Sequence, residues 1–142
     1  MSDFVVDTSV VAKWILPEAD SAQAQRLLTE AAATGGRLVV LDLVFPEVAN
    51  AIWKRHRQHL ITLDDAKGFL IELMQIPVEV EPAVRLITPA FEIAVKYDRA
   101  IYDALFVALA HDLKIQGVTA DEPLFNTTHK DFSQIVLLRD WK

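Results

Sequence analysis

Short runs of β-branched and apolar residues, FVVD, RLVVLD, VEVEP and QGVTAD, punctuate the chain between longer segments with helical spacing. Each run is of strand length, and no two of them are joined by a hairpin-sized turn. Strands separated by helices pair in parallel, and a parallel sheet needs helices on both faces. The pattern therefore predicts an α/β chain: a three-layer α/β/α sandwich around a central, mainly parallel sheet. Crossovers in such sheets are right-handed, so the C-terminal ends of the strands share one edge, where ligands bind. Asp7 ends the first run and Asp121 directly follows GVTA, so both carboxylates are expected at that edge.

The helical segments have recognisable ends. TSVVAKWIL stops at Pro17, and DSAQAQRLLTEAAATGG starts from a cap at Asp20 or Ser21 and ends at Gly35 and Gly36. FPEVANAIWKRHRQ carries Val48, Ala49, Ile52 and Trp53 on one face, and TLDDAKGFLIELMQ is capped by Thr62 or Asp64. VEVEP suits the edge of the sheet. Thr88 followed by Pro89 reads as the opening of the helix PAFEIAVKY. NTTHKDFSQIVLL reads as a loop and a last short strand.

Composition narrows the function classes. The chain has 142 residues, 52% hydrophobic and 24% charged, with no cysteine, as expected for one compact domain over 1–142 without disulfides or thiolate metal sites. No stretch is long and apolar enough to span a bilayer, and MSDFVVD has an acid where a secretory leader carries basic residues. A cytoplasmic protein is expected. The net charge of −6 argues against non-specific nucleic-acid binding but agrees with a cluster of metal-binding acids. The one basic concentration is KRHRQH, with Lys54, Arg55 and Arg57, which reads either as a solvated helix end or as a phosphate contact. His56, His59, His111 and His129 show no metal spacing tied to the acids and read as surface residues.

Four acids stand out. Asp7 in VVDTSV is either a helix cap or a ligand, and Thr8 and Ser9 are placed to cap or to hold its carboxylate. Glu47 in FPEVAN is a first-turn acid that suits the helix dipole, with Asn50 one turn later on the same face. Asp121 in TADEPL either caps a helix beginning at Pro123 or leaves that task to Glu122. Asp103 lies in AIYDALFVALAHDL, a run expected to be covered on most sides, where a lone carboxylate is costly. Arg99 precedes it by four residues at a helix boundary, so a divalent cation shared with other acids is the more economical partner. Oxygen donors alone suit Mg2+ or Mn2+, and such a cage is an apparatus for phosphodiester hydrolysis.

FVVDTSV, PEVANA, YDALFVALA and GVTADEPL, in this order, resemble the PIN-domain family, and most of all its VapC-type toxins. The resemblance covers essentially the whole chain. It implies a PIN-like sandwich and a metal-dependent endoribonuclease that leaves 5′-phosphate and 3′-hydroxyl ends. It makes Asp7, Asp103 and Asp121 metal ligands, with Glu47 binding metal or its water, and gives Ser9, Asn50 and Thr119 supporting hydrogen bonds. It also implies an RNA substrate, a homodimer and a small antitoxin lying over the acidic groove. One position departs from the family pattern: Ala100 stands where a capping Ser or Thr is usual, which leaves Asp98 as the expected cap.

Three other readings of the acids remain. An aspartate-based phosphatase usually has a second Asp two residues after the first, where Ser9 stands; a receiver-like switch has an acid pair after its first strand. A binding module with a catalytically silent acidic pocket is the third.

Overall fold

The computed structural model describes residues 3–141. Met1 and Ser2, at the start of the acid-bearing N-terminal stretch, and Lys142 lie outside the described residues. Five parallel strands form one sheet in the order β3-β2-β1-β4-β5, namely β1 (Phe4–Val6), β2 (Leu38–Leu41), β3 (Glu79–Glu81), β4 (Gln116–Thr119) and β5 (Ile135–Leu137). Register is set by pairs such as Phe4 with Leu38 and Val5 with Gly117. The chain winds outward from β1 to β3, then returns to place β4 on the other side of β1. The strand order thus reverses between β1 and β4, and the crevice of a doubly wound sheet opens at that point.

Alternation along β1 separates two cores. Phe4 and Val6 face a layer that buries residues of α1 (Thr8–Ile15), α2 (Ser21–Thr34), α3 (Val44–Arg57) and α4 (Leu63–Leu73). Val5 faces the opposite layer, with residues of α5 (Ile87–Tyr97), α6 (Ile101–Leu113) and α7 (Glu122–Thr128). This is the expected sandwich. α6 is the most enclosed helix, with Ala104 to Ala110 all buried. Gly117 on β4 lets it approach, since a Cβ there would stand 3.0 Å from Ala110 Cβ, Phe106 Cζ and Ile135 Cδ1.

Some helix ends follow the expected caps and others differ. Thr62 caps α4 in a reciprocal box with Asp65, while Asp20 adopts φ 63° and makes no side-chain cap bond. A 3-10 turn at Ala83–Leu86 runs directly into α5, so the helix begins at Ile87 rather than at Pro89. Pro89 falls within the first turn, where a missing N–H costs no helical bond. Asp98 is not the cap of α6: it sits at φ 53° as the left-handed C-cap of α5, and Ala100 occupies the N-cap of α6 without a side-chain bond. Residues 126–128, expected in a loop, belong to α7. The buried stripe of α3 is Val44, Val48 and Ile52, which leaves Trp53 half exposed beneath the Arg57 guanidinium. His56 and His129 are half-buried rather than on the surface, each near a backbone carbonyl.

Candidate active site

The C-terminal ends of β1 and β4 deliver Asp7 and Asp121 side by side, and each carboxylate begins a helix. Asp7 is the N-cap of α1, accepting from the Val10 N–H at 3.2 Å, and Asp121 is the N-cap of α7, accepting from the Leu124 N–H at 3.1 Å. Capping and membership of an acid cluster are thus compatible, because a cap bond occupies only one oxygen of each carboxylate. Glu47 arrives on the first turn of α3 and Asp103 on the first turn of α6, where the helix dipole favours negative charge. All four line one cavity of about 250 Å³.

Asp7 is the most constrained of the four. Ser9 Oγ donates to its Oδ1 and Thr119 Oγ1 to its Oδ2. Both hydroxyls are themselves fixed, since the Ala120 N–H donates to Ser9 Oγ at 2.9 Å and the Asp121 N–H to Thr119 Oγ1 at 3.0 Å. Thr119 is fully buried. Burial pushes the Asp7 carboxyl up from 3.8 to about 6; the hydrogen bonds from Ser9, Thr119 and the Val10 N–H pull it down, and the charge of Asp121 raises it further.

Glu47 is held by a residue that the sequence placed beside Asp7. Thr8 Oγ1 donates to Glu47 Oε1 at 2.7 Å, linking α1 to α3 across the cavity floor. The helical turn after Asp7 sends Ser9 back toward the strand and Thr8 toward α3. Asn50 is exposed on α3 and does not line the cavity. Tyr102, which the sequence reading did not single out, lines the cavity while 60% exposed.

Asp103 has a cationic partner within the chain. Arg99 Nη2 donates to Asp103 Oδ2 at 3.0 Å and lies 3.8 Å from Asp121 Oδ2. The chain thus supplies the basic partner that the sequence reading ranks below a shared divalent cation: Arg99 stands just before the Ala100 N-cap and reaches the first turn of α6. Nor is Asp103 deeply buried, because the first turn of α6 emerges at the sheet edge and leaves the side chain 33% exposed.

In donor chemistry the site fits a hard divalent cation. Its acids offer carboxylate oxygens, and no histidine lines the cavity. Among the described residues, however, no three acids or histidines stand close enough to hold an ion as the side chains are placed.

Of the basic run, Arg55 pairs with Glu18 at 2.9 Å across to the loop after α1. Lys54 and Arg57 are exposed. No helix among the described residues is long and apolar enough to cross a membrane.

A family model described as the PIN domain matches residues 4–130. Ribonuclease VapC3 of Pyrobaculum aerophilum is 36% identical over 122 residues, 84% of this chain and 90% of that protein. Among solved structures, Mycobacterium tuberculosis VapC20, described as a Sarcin-Ricin loop cleaving toxin, matches with TM-score 0.66 at 20% identity, covering 89% of this chain and 95% of that one. VapBC2 from Rickettsia felis, bound to a DNA fragment from their promoter, matches with TM-score 0.63 at 13% identity, covering 94% and 96%. At such identities the two structures show a shared fold.

Proposed function

The chain belongs to the PIN-domain family, in its VapC branch, and on that premise we propose that it is a metal-dependent endoribonuclease, the toxin of a toxin–antitoxin pair acting in the cytoplasm. One observation carries the chemistry: four carboxylates from four separated segments converge on one cavity at the switch point of the sheet. Like charges gathered in this way are costly unless cations join them, and Arg99 is paired with only Asp103 and Asp121.

Asp7, Asp103 and Asp121 are the residues that would hold Mg2+ or Mn2+, with Glu47 as a further ligand directly or through water. When bound, the cation supplies positive charge against the phosphodiester and lowers the pKa of a water. The chain's part is orientation. Ser9 and Thr119 fix the Asp7 oxygens, and Thr8 fixes Glu47. Lys54 and Arg57 lie on the same helix as Glu47, seven and ten residues further on, or about 10–15 Å along the axis. Their exposure supports a reading in which they contact the phosphates of a strand running out of the cavity.

Two exposed apolar stripes suit two partners. Leu63, Leu70, Ile71 and Met74 are exposed on and just after α4, and Ile87, Phe91 and Val95 form an i, i+4, i+8 stripe on α5. An isologous dimer uses the same patch on both copies, so our reading gives the α5 row to a homodimer and α4 to the antitoxin. The VapBC2 likeness supports an antitoxin partner. Phe91→Glu should convert a dimer to monomer in light scattering, and an unchanged mass would remove α5 from the interface.

The enzyme reading is tested by incubating a panel of structured RNAs with partner-free protein in Mn2+ or Mg2+ and in EDTA, beside Asp103→Asn. Discrete fragments that vanish with EDTA and with the variant are expected. Cleavage that survives EDTA would refute metal dependence. Metal binding without any cleavage would favour the silent binding module.

A further inference from the structure

Arg99 neutralises two of the acids that a cation would claim, and we propose that it is a resident counter-ion which a divalent metal must displace. Metal affinity is then set by competition with the chain's own guanidinium. The inference rests on the metal-dependent reading above.

Three observations carry it. First, one guanidinium serves two acids from different elements, Asp103 on α6 at 3.0 Å and Asp121 after β4 at 3.8 Å. The same Nη2 atom faces both carboxylates. Second, the pose is incompletely satisfied: Arg99 Nε is buried with no hydrogen-bond acceptor. A buried donor without an acceptor is a cost that a settled structural arginine avoids. Arg139 shows the contrast, with Nη1 at 3.2 Å and Nη2 at 2.9 Å from the two Glu122 oxygens. Third, the backbone of Arg99 is anchored independently of its side chain. The Arg99 N–H donates to Ala94 O at 3.1 Å, closing the left-handed turn at Asp98. This bond does not involve the guanidinium, so exchange of cation for guanidinium leaves the backbone turn its own anchor.

The charge balance explains why such a residue is useful. Asp103 and Asp121 repel each other in the absence of metal, and Arg99 offsets that repulsion. When a divalent ion takes the two carboxylates, a guanidinium held at the same place opposes it. One cation or the other is favoured, and the metal concentration decides which.

The experiment is calorimetric titration of Mn2+ into the full chain, comparing wild type with Arg99→Gln and Arg99→Lys, beside melting curves in EDTA and in saturating Mn2+. Arg99→Gln should bind Mn2+ about tenfold more tightly, the ordinary size of a coupling between two ligands, and Arg99→Lys should fall between. The Gln variant should melt below wild type in EDTA, and Mn2+ should close the gap. Equal or weaker Mn2+ affinity in Arg99→Gln, with wild type binding, would overturn the proposal and leave the metal site standing. A melting deficit of the same size in EDTA and Mn2+ would overturn it too, by marking a structural ion pair. Absence of Mn2+ binding in all three chains would overturn it together with the metal-dependent reading.

Discussion

Removing the charge from Asp7 should stabilise the metal-free protein, although the residue caps a helix and makes three hydrogen bonds. Its carboxyl titrates at about 6 in the fold against an ordinary 3.8, with burial as the largest cause. A raised carboxylate pKa means that the folded protein holds the proton more tightly than the unfolded chain. Stability is therefore unaffected below pH 3.8, falls as pH rises toward 6, and stays reduced above it. The gap corresponds to about 3 kcal/mol at pH 8 and to about 0.6 kcal/mol at pH 4. In Asp7→Asn, Oδ1 still accepts from the Val10 N–H and from Ser9, while the new amide donates to Thr119 Oγ1, which has a second lone pair beside the one taken by Asp121 N–H. Part of the relief is lost in this exchange, which leaves a gain of about 1–2 kcal/mol, or about 3–7 °C in Tm for a chain of this size. The assay is urea unfolding with EDTA at pH 8 and pH 4, followed by circular dichroism. A variant no more stable than wild type at pH 8, or a gain of equal size at pH 4, would refute the reasoning.

Other perturbations separate the parts of the site. Thr8→Val frees Glu47 from its 2.7 Å hydrogen bond and should lower RNA cleavage about tenfold while costing about 1 kcal/mol of stability; unchanged cleavage would show that Glu47 needs no positioning. Gly117→Ala puts a methyl against Phe106, Ala110 and Ile135 and should destabilise the fold by about 1–3 kcal/mol in urea, whereas a neutral result would mean that α6 yields easily. Lys54→Ala with Arg57→Ala should weaken RNA binding more at low salt than at high salt in a filter assay. Arg55→Ala, which breaks a pair with Glu18, should change RNA affinity less and stability by under about 1 kcal/mol.

The sequence disclosed the layers of this fold because strand-length apolar runs and helical periodicity carry that information locally. It also placed Asp7 and Asp121 at one edge, since parallel pairing leaves no other arrangement for residues that end β1 and β4. What it did not disclose were interactions that depend on where a helix starts. Arg99 does stand at a boundary, between the C-cap of α5 and the N-cap of α6, and the tight turn there folds its side chain onto Asp103. Thr8 and Ser9 looked equivalent beside Asp7; their roles diverge because successive residues of a helix point about 100° apart. Trp53 fitted a buried face by spacing, but the stripe of α3 is narrow there and leaves the ring to Arg57.

These local details divide the acid cluster into two unlike halves. Asp7 and Glu47 are held by Ser9, Thr119 and Thr8, short β-hydroxy side chains whose own positions are fixed by backbone bonds or by their place in α1. Such groups have little freedom to lose, so this half is set by the fold itself. Asp103 and Asp121 are instead bridged by a long arginine with a buried unpaired Nε. Asp121 is also fixed through its other oxygen by the Leu124 N–H, so among the described residues Asp103 is the acid whose hydrogen bond comes from Arg99 alone. On the metal-dependent reading, the Asp7 side would offer oxygens already positioned by the fold, and Arg99 would set how tightly Asp103 and Asp121 hold a cation.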